Sequence, residues 1–438
     1  MPNLEKGNPK LINAWAFYDW ANSVYSLVIA TAVFPIYYES ITGKNEGIVH
    51  FLGTEFHNST LLSYSLSFSF LIVAFISPIL SAIADYTGNK KRFMQFFCYL
   101  GSFSVMSLYF FTGVENLWIG IVFTILASIG FWGSFVFYNS YLPEIAHPEQ
   151  QDRVSAKGFM FGYTGSVLLL AFNLVMVMKP ELFGITDASL PARISFLMVG
   201  VWWIGFAQIT FYHLPNNVFH KKPEKDFIFK GFKELKGVLI ALKKQVSLKL
   251  FLTSFFFYSV GVQTIILLLG IYVKKELDID TSKLIIIILL IQVVAIFGAF
   301  IFSRISDRIG NIKTLKITIA IWGIVCLAIY FTDAKSDFID MQVYLLGGGI
   351  GMVLGAIQSI SRSTYSKLLP ETEDHATYFS FYDVTEKIAI VLGTFIFGFV
   401  GAIYDSLKNS IFILAIFFLV GYIILSLMKK NPYLSKRD

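Results

Sequence analysis

Asp85-Tyr86-Thr87-Gly88-Asn89-Lys90-Lys91 ends one long apolar run, and Asp307-Arg308-Ile309-Gly310-Asn311-Ile312-Lys313 ends another. Both read Asp-x-x-Gly-Asn-x-Lys, 222 residues apart. A second pair, Leu142-Pro143-Glu144 and Leu369-Pro370-Glu371, repeats at an offset of 227 residues, each again after an apolar run. Two pairs in one order and at nearly one offset indicate an internally duplicated chain. The runs lie near 12–42, 60–84, 93–113, 117–142, 155–178 and 193–214, then 249–273, 284–305, 314–333, 341–369, 376–403 and 409–428. A helix crosses the hydrocarbon layer with about 20 residues, and these runs are too long for the roughly 10-residue strands of a barrel. The repeated motifs follow runs two and eight, then four and ten. The repeating unit is therefore six helices.

Composition agrees with this reading. The 438 residues are 55% hydrophobic and 15% charged, with a mean hydropathy of +0.66; a soluble chain carries roughly a quarter charged residues. The expected fold is an all-α membrane protein with twelve transmembrane helices in two pseudo-symmetric six-helix bundles. Residues 1–214 and 249–438 form the bundles, and 215–248 form a basic, amphipathic cytoplasmic linker. Asp19 and Asn22 interrupt the first apolar run, which reads as a span rather than a removable signal peptide. Lys90, Lys91 and Arg92, then Arg153 and Lys157, the nine lysines from Lys221 to Lys249, and Arg304, Arg308, Lys313 and Lys316 sit on alternate connections; the tail adds Lys429, Lys430, Lys436 and Arg437. The positive-inside rule then places both termini in the cytoplasm, which requires an even number of spans. In the linker, Ile228, Phe232, Leu235, Leu239 and Leu242 share a helical face, suited to an anionic membrane surface or a docking partner.

Cys98, Cys326 and the six histidines show no ligand spacing. We expect no metal, no cofactor, no nucleic-acid partner and no enzymatic centre. The expected location is the cell membrane, multi-pass (the inner membrane in a bacterium), with a monomer surrounded by lipid.

The duplicated loops, twelve spans and basic central stretch resemble the major facilitator superfamily. Within it, Trp15-Ala16-Phe17-Tyr18-Asp19-Trp20-Ala21-Asn22-Ser23 is similar to the opening signature of the Atg-type vacuolar effluxer group and its bacterial relatives. Tyr138-Asn139-Ser140-Tyr141-Leu142-Pro143-Glu144, Gly261-Val262-Gln263-Thr264-Ile265 and Gln358-Ser359-Ile360-Ser361-Arg362-Ser363 are similar to it too. The loop motif departs from the wider superfamily form, with Ser81 and Ser303 where a glycine usually stands. The resemblance implies alternating access, with spans 1, 4, 7 and 10 around a central cavity and the duplicated loops as a latch. It does not name the solute.

A carboxylate at the C-terminal end of its own helix opposes that helix's dipole. Asp85 and Asp307 therefore want another helix's N-terminus or a cation across the bundle. Asp85, Gly88 and Arg92, with Asp307, Gly310 and Lys313, are the candidate gating residues; as plain solvated turns they would need only glycine's positive φ.

Charges inside spans are expensive unless paired or hydrated. Asp19 lies about two turns into span 1, beside a face of Tyr18, Asn22 and Tyr25. Gln358, Arg362 and Tyr365 form a face of span 10. An Asp19–Arg362 contact would close the inner mouth; alternatively, each pairs locally or reaches the interface. In span 11, Asp383 and Lys387 stand i, i+4, leaving Glu386 unpaired near the midplane. Glu386, then Asp19, are the candidate proton-coupling residues, because a desolvated carboxylate can titrate near neutral pH. Tyr18, Asp19, Asn22, Tyr25, Tyr138, Asn139, Tyr258, Gln263, Gln358, Arg362 and Tyr382 make the candidate substrate-binding set. Gly347, Gly351 and Gly355 recur every four residues, a spacing for close helix packing. The expected function is secondary transport of a small polar solute, an amino acid or short peptide, with proton coupling. A sugar or glycoside symporter is the alternative, and a lipid-handling protein or membrane enzyme a more remote one.

Overall fold

The computed structural model describes residues 5–216, 227–277, 279–404 and 406–428. Among the described residues, twelve helices long and apolar enough to cross a membrane follow in order: Pro9–Thr42, Asn58–Thr87, Lys90–Phe110, Val114–Ile145, Gln151–Met178 and Leu190–His213, then Val246–Leu277, Lys283–Ile309, Asn311–Tyr330, Ile339–Leu368, His375–Tyr404 and Leu407–Ser426. They are spans 1 to 12 below. Of the basic residues expected at the connections, Lys221, Lys222, Lys225, Lys429, Lys430, Lys436 and Arg437 lie outside the described residues. Buried apolar side chains form two clusters, one drawn almost wholly from residues before 215 and the other mainly from Val238 onward. Large apolar side chains such as Phe75, Phe172 and Phe395 face outward, as a lipid-facing surface requires.

Three local features depart from the sequence reading. Span 1 begins as an α-helix, with the Asn8 side chain capping Lys10 N–H. It then widens into a π-helical stretch at Tyr25–Val33. Pro35 stands two residues past its end and can neither donate to the preceding turn nor tolerate a normal carbonyl behind it. Thr31 Oγ1 donates to Ser26 O at 2.9 Å in the widened turn. Between spans 1 and 2, Ile48–Phe51 and Thr54–His57 pair as an antiparallel hairpin, a small exception to the all-helical expectation. Span 5 starts at Gln151 rather than 155, which brings Asp152 and Arg153 into its first turn.

A helix at Phe227–Lys244 links the two sets of spans. The face it turns to the bundle centres on Gly231 and Val238, with Gly231 against Ile83 of span 2. Phe232 and Leu239, on the apolar face suited to a membrane surface or a docking partner, are exposed, Leu235 and Leu242 are half-buried, and the Ile228 side chain lies outside the described residues. The side turned to span 2 is the one where Gly231 lets the helix backbone approach Ile83.

The glycine stripe of span 10 lies against span 8. A Cβ at Gly355 would sit 2.0 Å from Ala295 O, and one at Gly351 2.5 Å from Ile291 O. Gly298 of span 8 returns the contact, 2.1 Å from Met352 O.

Candidate functional site

At the end of the bundle carrying the duplicated loops, the two sets of spans are joined by polar contacts. Asp85, at the end of span 2, accepts hydrogen bonds from Ala376 N–H (3.2 Å), Thr377 N–H (2.7 Å) and Thr377 Oγ1 (2.8 Å) at the start of span 11. The carboxylate thus leaves the unfavourable end of its own dipole for the favourable end of another. Gly88 caps span 2 at φ 68. Asp307 of span 8 instead meets a cation, Arg153 Nε of span 5, at 2.5 Å. Gly310 turns the chain at φ 87 into span 9. Arg92 and Lys313 are exposed, and other residues complete the junction. Asp152 accepts from Ser306 Oγ (2.9 Å) and Asn311 Nδ2 (2.7 Å) and pairs with Lys367 (2.8 Å). Glu144 takes both Lys90 and His375, the latter at 2.9 Å.

Asp85→Asn removes the charge that holds the span 11 N-terminus and points an amide N–H₂ at backbone donors. Hydrogen bonds to a charged group contribute about 1.5–3 kcal/mol. The expected outcome is a broadened, longer distance distribution between spin labels at the exposed positions 92 and 313. An unchanged distribution would mean that Asp85 does not hold the junction.

One layer deeper, Arg362 of span 10 enters the opposite set of spans. Its guanidinium lies 3.3 Å from Asp19 Oδ2 and donates to Asn139 Oδ1 (3.2 Å), Ser155 Oγ (2.9 Å) and Ser155 O (2.7 Å). Trp15 (4.9 Å), Tyr138 (5.4 Å) and Phe159 (4.1 Å) place ring faces around it. Asp19 also accepts from Tyr138 Oη at 2.7 Å. Asp19 and Arg362 are each 1% exposed, and desolvated charges persist in such a place only with full pairing. Ser155 Oγ donates to Ser359 O (2.7 Å) and Tyr163 Oη to Gln358 Oε1 (2.5 Å), two more bonds across the same junction.

Above this layer lies a cavity of about 180 Å³. Of the candidate substrate-binding residues, Asp19, Tyr25, Asn139, Tyr258, Gln263, Gln358, Arg362 and Tyr382 line it, as does the proton-coupling candidate Glu386. Tyr18, Asn22 and Tyr138 do not. On span 1 the lining face runs Asp19, Ser23 and Ser26, one residue away from the Tyr18–Asn22 face, and one residue is about 100° of helix. Tyr18 instead packs on Tyr138 and Phe211, while Tyr25, the first residue of the π-helical stretch, reaches the cavity. Tyr138 backs the Asp19–Arg362 pair. Tyr365, grouped with Gln358 and Arg362 by spacing, donates to Tyr378 O inside its own set of spans.

Glu386, expected to stand unpaired, is bonded on both oxygens: Gln263 Nε2 donates to Oε1 (2.7 Å) and Lys387 Nζ lies 3.2 Å from Oε2. Lys387 also pairs with Asp383 at 2.9 Å and sits 3.4 Å over the Trp132 ring of span 4. Spacing gave the Asp383–Lys387 pair but could not show that Gln263, 123 residues away, reaches Glu386.

Twelve spans in two bundles, a central polar cavity and a junction of cross-bundle ion pairs define a class: a multi-pass transporter of the major facilitator superfamily, not an enzyme. The family described as "Vacuole effluxer Atg22 like" matches residues 7–432, and the chain belongs to that family. The MFS-type transporter YxiO of Bacillus subtilis is 32% identical over 96% of this chain and 95% of its own length. Autophagy-related protein 22-1 of Penicillium rubens is 22% identical, covering 88% of this chain and 78% of its own. Among solved structures, FucP in the outward conformation covers 97% of this chain and 99% of its own, at TM-score 0.70 and 14% identity. The proton:xylose symporter XylE covers 94% of each at TM-score 0.71 and 13% identity. These likenesses show the fold.

Proposed function

We propose that this chain is a secondary active transporter that moves a small polar solute, an amino acid or short peptide, by alternating access with proton coupling at Glu386. The carrying observation is the cavity: an acid and a base from opposite bundles close one end, and Glu386 faces the space with amides of Gln263, Gln358 and Asn139 around it. Residues 1–214 and 249–438 are the two rocking bodies in this reading, joined by 215–248. The basic connections assign the latched end to the cytoplasm, so the cavity faces outward. The similarity of fold to FucP, described in an outward conformation, supports this assignment.

The sugar reading has its own support in the aromatic lining, where Phe255 stacks on Tyr382 at 4.1 Å beside Trp132 and Phe135. FucP is described as a fucose:proton symporter. Thermal stabilisation of the purified protein by a metabolite panel separates the two. Uptake of the hit into vesicles, with and without an imposed pH gradient, then tests coupling. We expect an amino acid or short peptide to raise the melting midpoint and the gradient to change its uptake several-fold; indifference to the gradient removes the coupling.

A further inference from the structure

Among the described residues, one side of the linking helix Phe227–Lys244 is left uncovered. Phe229 is 79% exposed, Phe232 46%, Ile240 48% and Leu239 38%. At about 100° per residue these four fall within roughly 100° of the helix circumference. Lys236 and Lys243 lie inside that arc, Lys233 and Lys244 lie along its edge, and all four are exposed. The helix carries five lysines against one glutamate. Large apolar side chains mixed with ammonium groups suit neither a protein core, which would strand the charges, nor bulk water, which would wet the rings. They suit the headgroup zone of an anionic leaflet, where apolar tips reach the acyl boundary and lysine stems bend back to phosphate.

The helix sits at that depth. It is tied to spans at both ends, following span 6, which ends at His213, and preceding span 7, which begins at Val246. Gly231 packs on Ile83, and Lys230 Nζ lies 5.9 Å from the Tyr86 ring centroid, both near the end of span 2. Span 2 has 30 residues, which is about 45 Å at the helical rise. The hydrocarbon layer is about 30 Å thick, and about 40–45 Å with its headgroups. The end of span 2, and the helix beside it, therefore lie among headgroups. A cytosolic partner would have to displace lipid to reach this face.

The helix also straddles the two bundles. Gly231 rests on span 2, whereas Val238 belongs to the apolar cluster drawn mainly from the second bundle, and the helix touches span 11. Spans 2 and 11 are the pair that Asp85 joins through Ala376 and Thr377. We propose that the uncovered face adsorbs to the anionic leaflet on the side of the duplicated loops, and that the adsorbed helix clamps span 2 to span 11 in the latched state. The surface needs only the multi-pass fold; the clamp rests on the alternating-access reading above.

The test uses the full-length protein in vesicles of phosphatidylcholine, alone or with an equal share of phosphatidylglycerol. A polarity-sensitive thiol dye is placed at Phe232→Cys, on the face. In a second sample it is placed at Gly237→Cys, an open position about 140° round the helix. Cys98 and Cys326 are buried, and each variant is checked for an unchanged melting midpoint. In the anionic vesicles the dye at 232 should emit at shorter wavelength, and brominated lipid should quench it several-fold more than the dye at 237, which acrylamide quenches instead. Lys233→Gln, Lys236→Gln, Lys243→Gln and Lys244→Gln together, or added salt, should remove most of that difference. Spin labels at 92 and 313 should give a shorter, narrower distance distribution with phosphatidylglycerol than without. Equal signals at 232 in the two lipids, or signals indifferent to the lysines, overturn the anionic recognition. Free acrylamide access at 232 in both overturns the membrane surface, as does protection that grows with the protein-to-lipid ratio, which would assign the face to a second copy. A protected 232 with an unmoved 92–313 distribution overturns the clamp. The transporter reading is judged by uptake alone, so its failure stays distinct from all of these.

Discussion

Arg362→Leu is expected to destabilise the protein by about 3–5 kcal/mol and to abolish transport, because it strands a buried charge. Asp19 would keep Tyr138 Oη as its donor but lose both contacts from the guanidinium. Asn139 Oδ1, Ser155 O and Ser155 Oγ lose a donor each. Lysine does not substitute, since a single ammonium cannot reach the four positions that the planar fork spans. The second half of the expectation is a double-variant cycle. Adding Asp19→Asn to Arg362→Leu removes the stranded charge, and the melting midpoint should recover part of the loss, a coupling of the kind expected between residues in contact. Transport should not recover, because the cross-bundle closure is still missing. If the double variant melts no higher than Arg362→Leu alone, the pair is not what holds this layer.

Periodicity and charge reach this layer only part of the way. Hydropathy and the loop repeat give twelve helices in two bundles, since each span must satisfy its own backbone in lipid and says so in its composition. Asp19, Arg362 and Glu386 stand out for a related reason: a charge in an apolar run is conspicuous. Residues at the ends of spans carry no such contrast. Asp152 and Arg153 look like ordinary residues of a basic loop, and only the early start of span 5 turns them toward Ser306, Asn311 and Asp307; Lys367, at the end of span 10, meets Asp152 from the other bundle. Tyr163 and Gln358 are polar residues in spans, but their meeting is a property of two helices, and one sequence names faces rather than neighbours. The span 1 face was displaced for a third reason. Spacing groups residues into faces but does not say which face turns inward, and in the regular helix ahead of Tyr25 it is Asp19 and Ser23, one residue round from Tyr18 and Asn22, that meet the cavity.

The glycines of span 10 give the second large effect, and here spacing and structure disagree in an instructive way. Four-residue recurrence makes Gly347, Gly351 and Gly355 look equivalent. Their surroundings grade them. A Cβ at Gly355 meets a backbone carbonyl at 2.0 Å and one at Gly351 meets another at 2.5 Å, whereas at Gly347 the nearest atom is Ile287 Cγ2 at 3.2 Å. A side-chain methyl can give by a few tenths of an ångström; a carbonyl inside the next helix moves only if the helix does. Gly355→Ala should therefore destabilise by about 3 kcal/mol or more, the upper range for overpacking, with Gly351→Ala next and Gly347→Ala small. Gly348 is the control, because nothing lies within 4 Å of its Cβ position. There alanine should stabilise by about 0.5–1 kcal/mol through the helical backbone alone. Melting midpoints of the four alanine variants in one detergent decide it: the order 348, 347, 351, 355 from most to least stable is expected. A flat series would mean that spans 8 and 10 do not pack backbone to backbone in the membrane. Because Gly355 lies seven residues before Arg362 on the same helix, the close approach also fixes where that guanidinium starts from, and a span pushed away from its neighbour should carry Arg362 out of reach of Asp19. Gly355→Ala in a fraction that survives purification should then show weakened uptake as well as a lower midpoint, which Gly348→Ala should not.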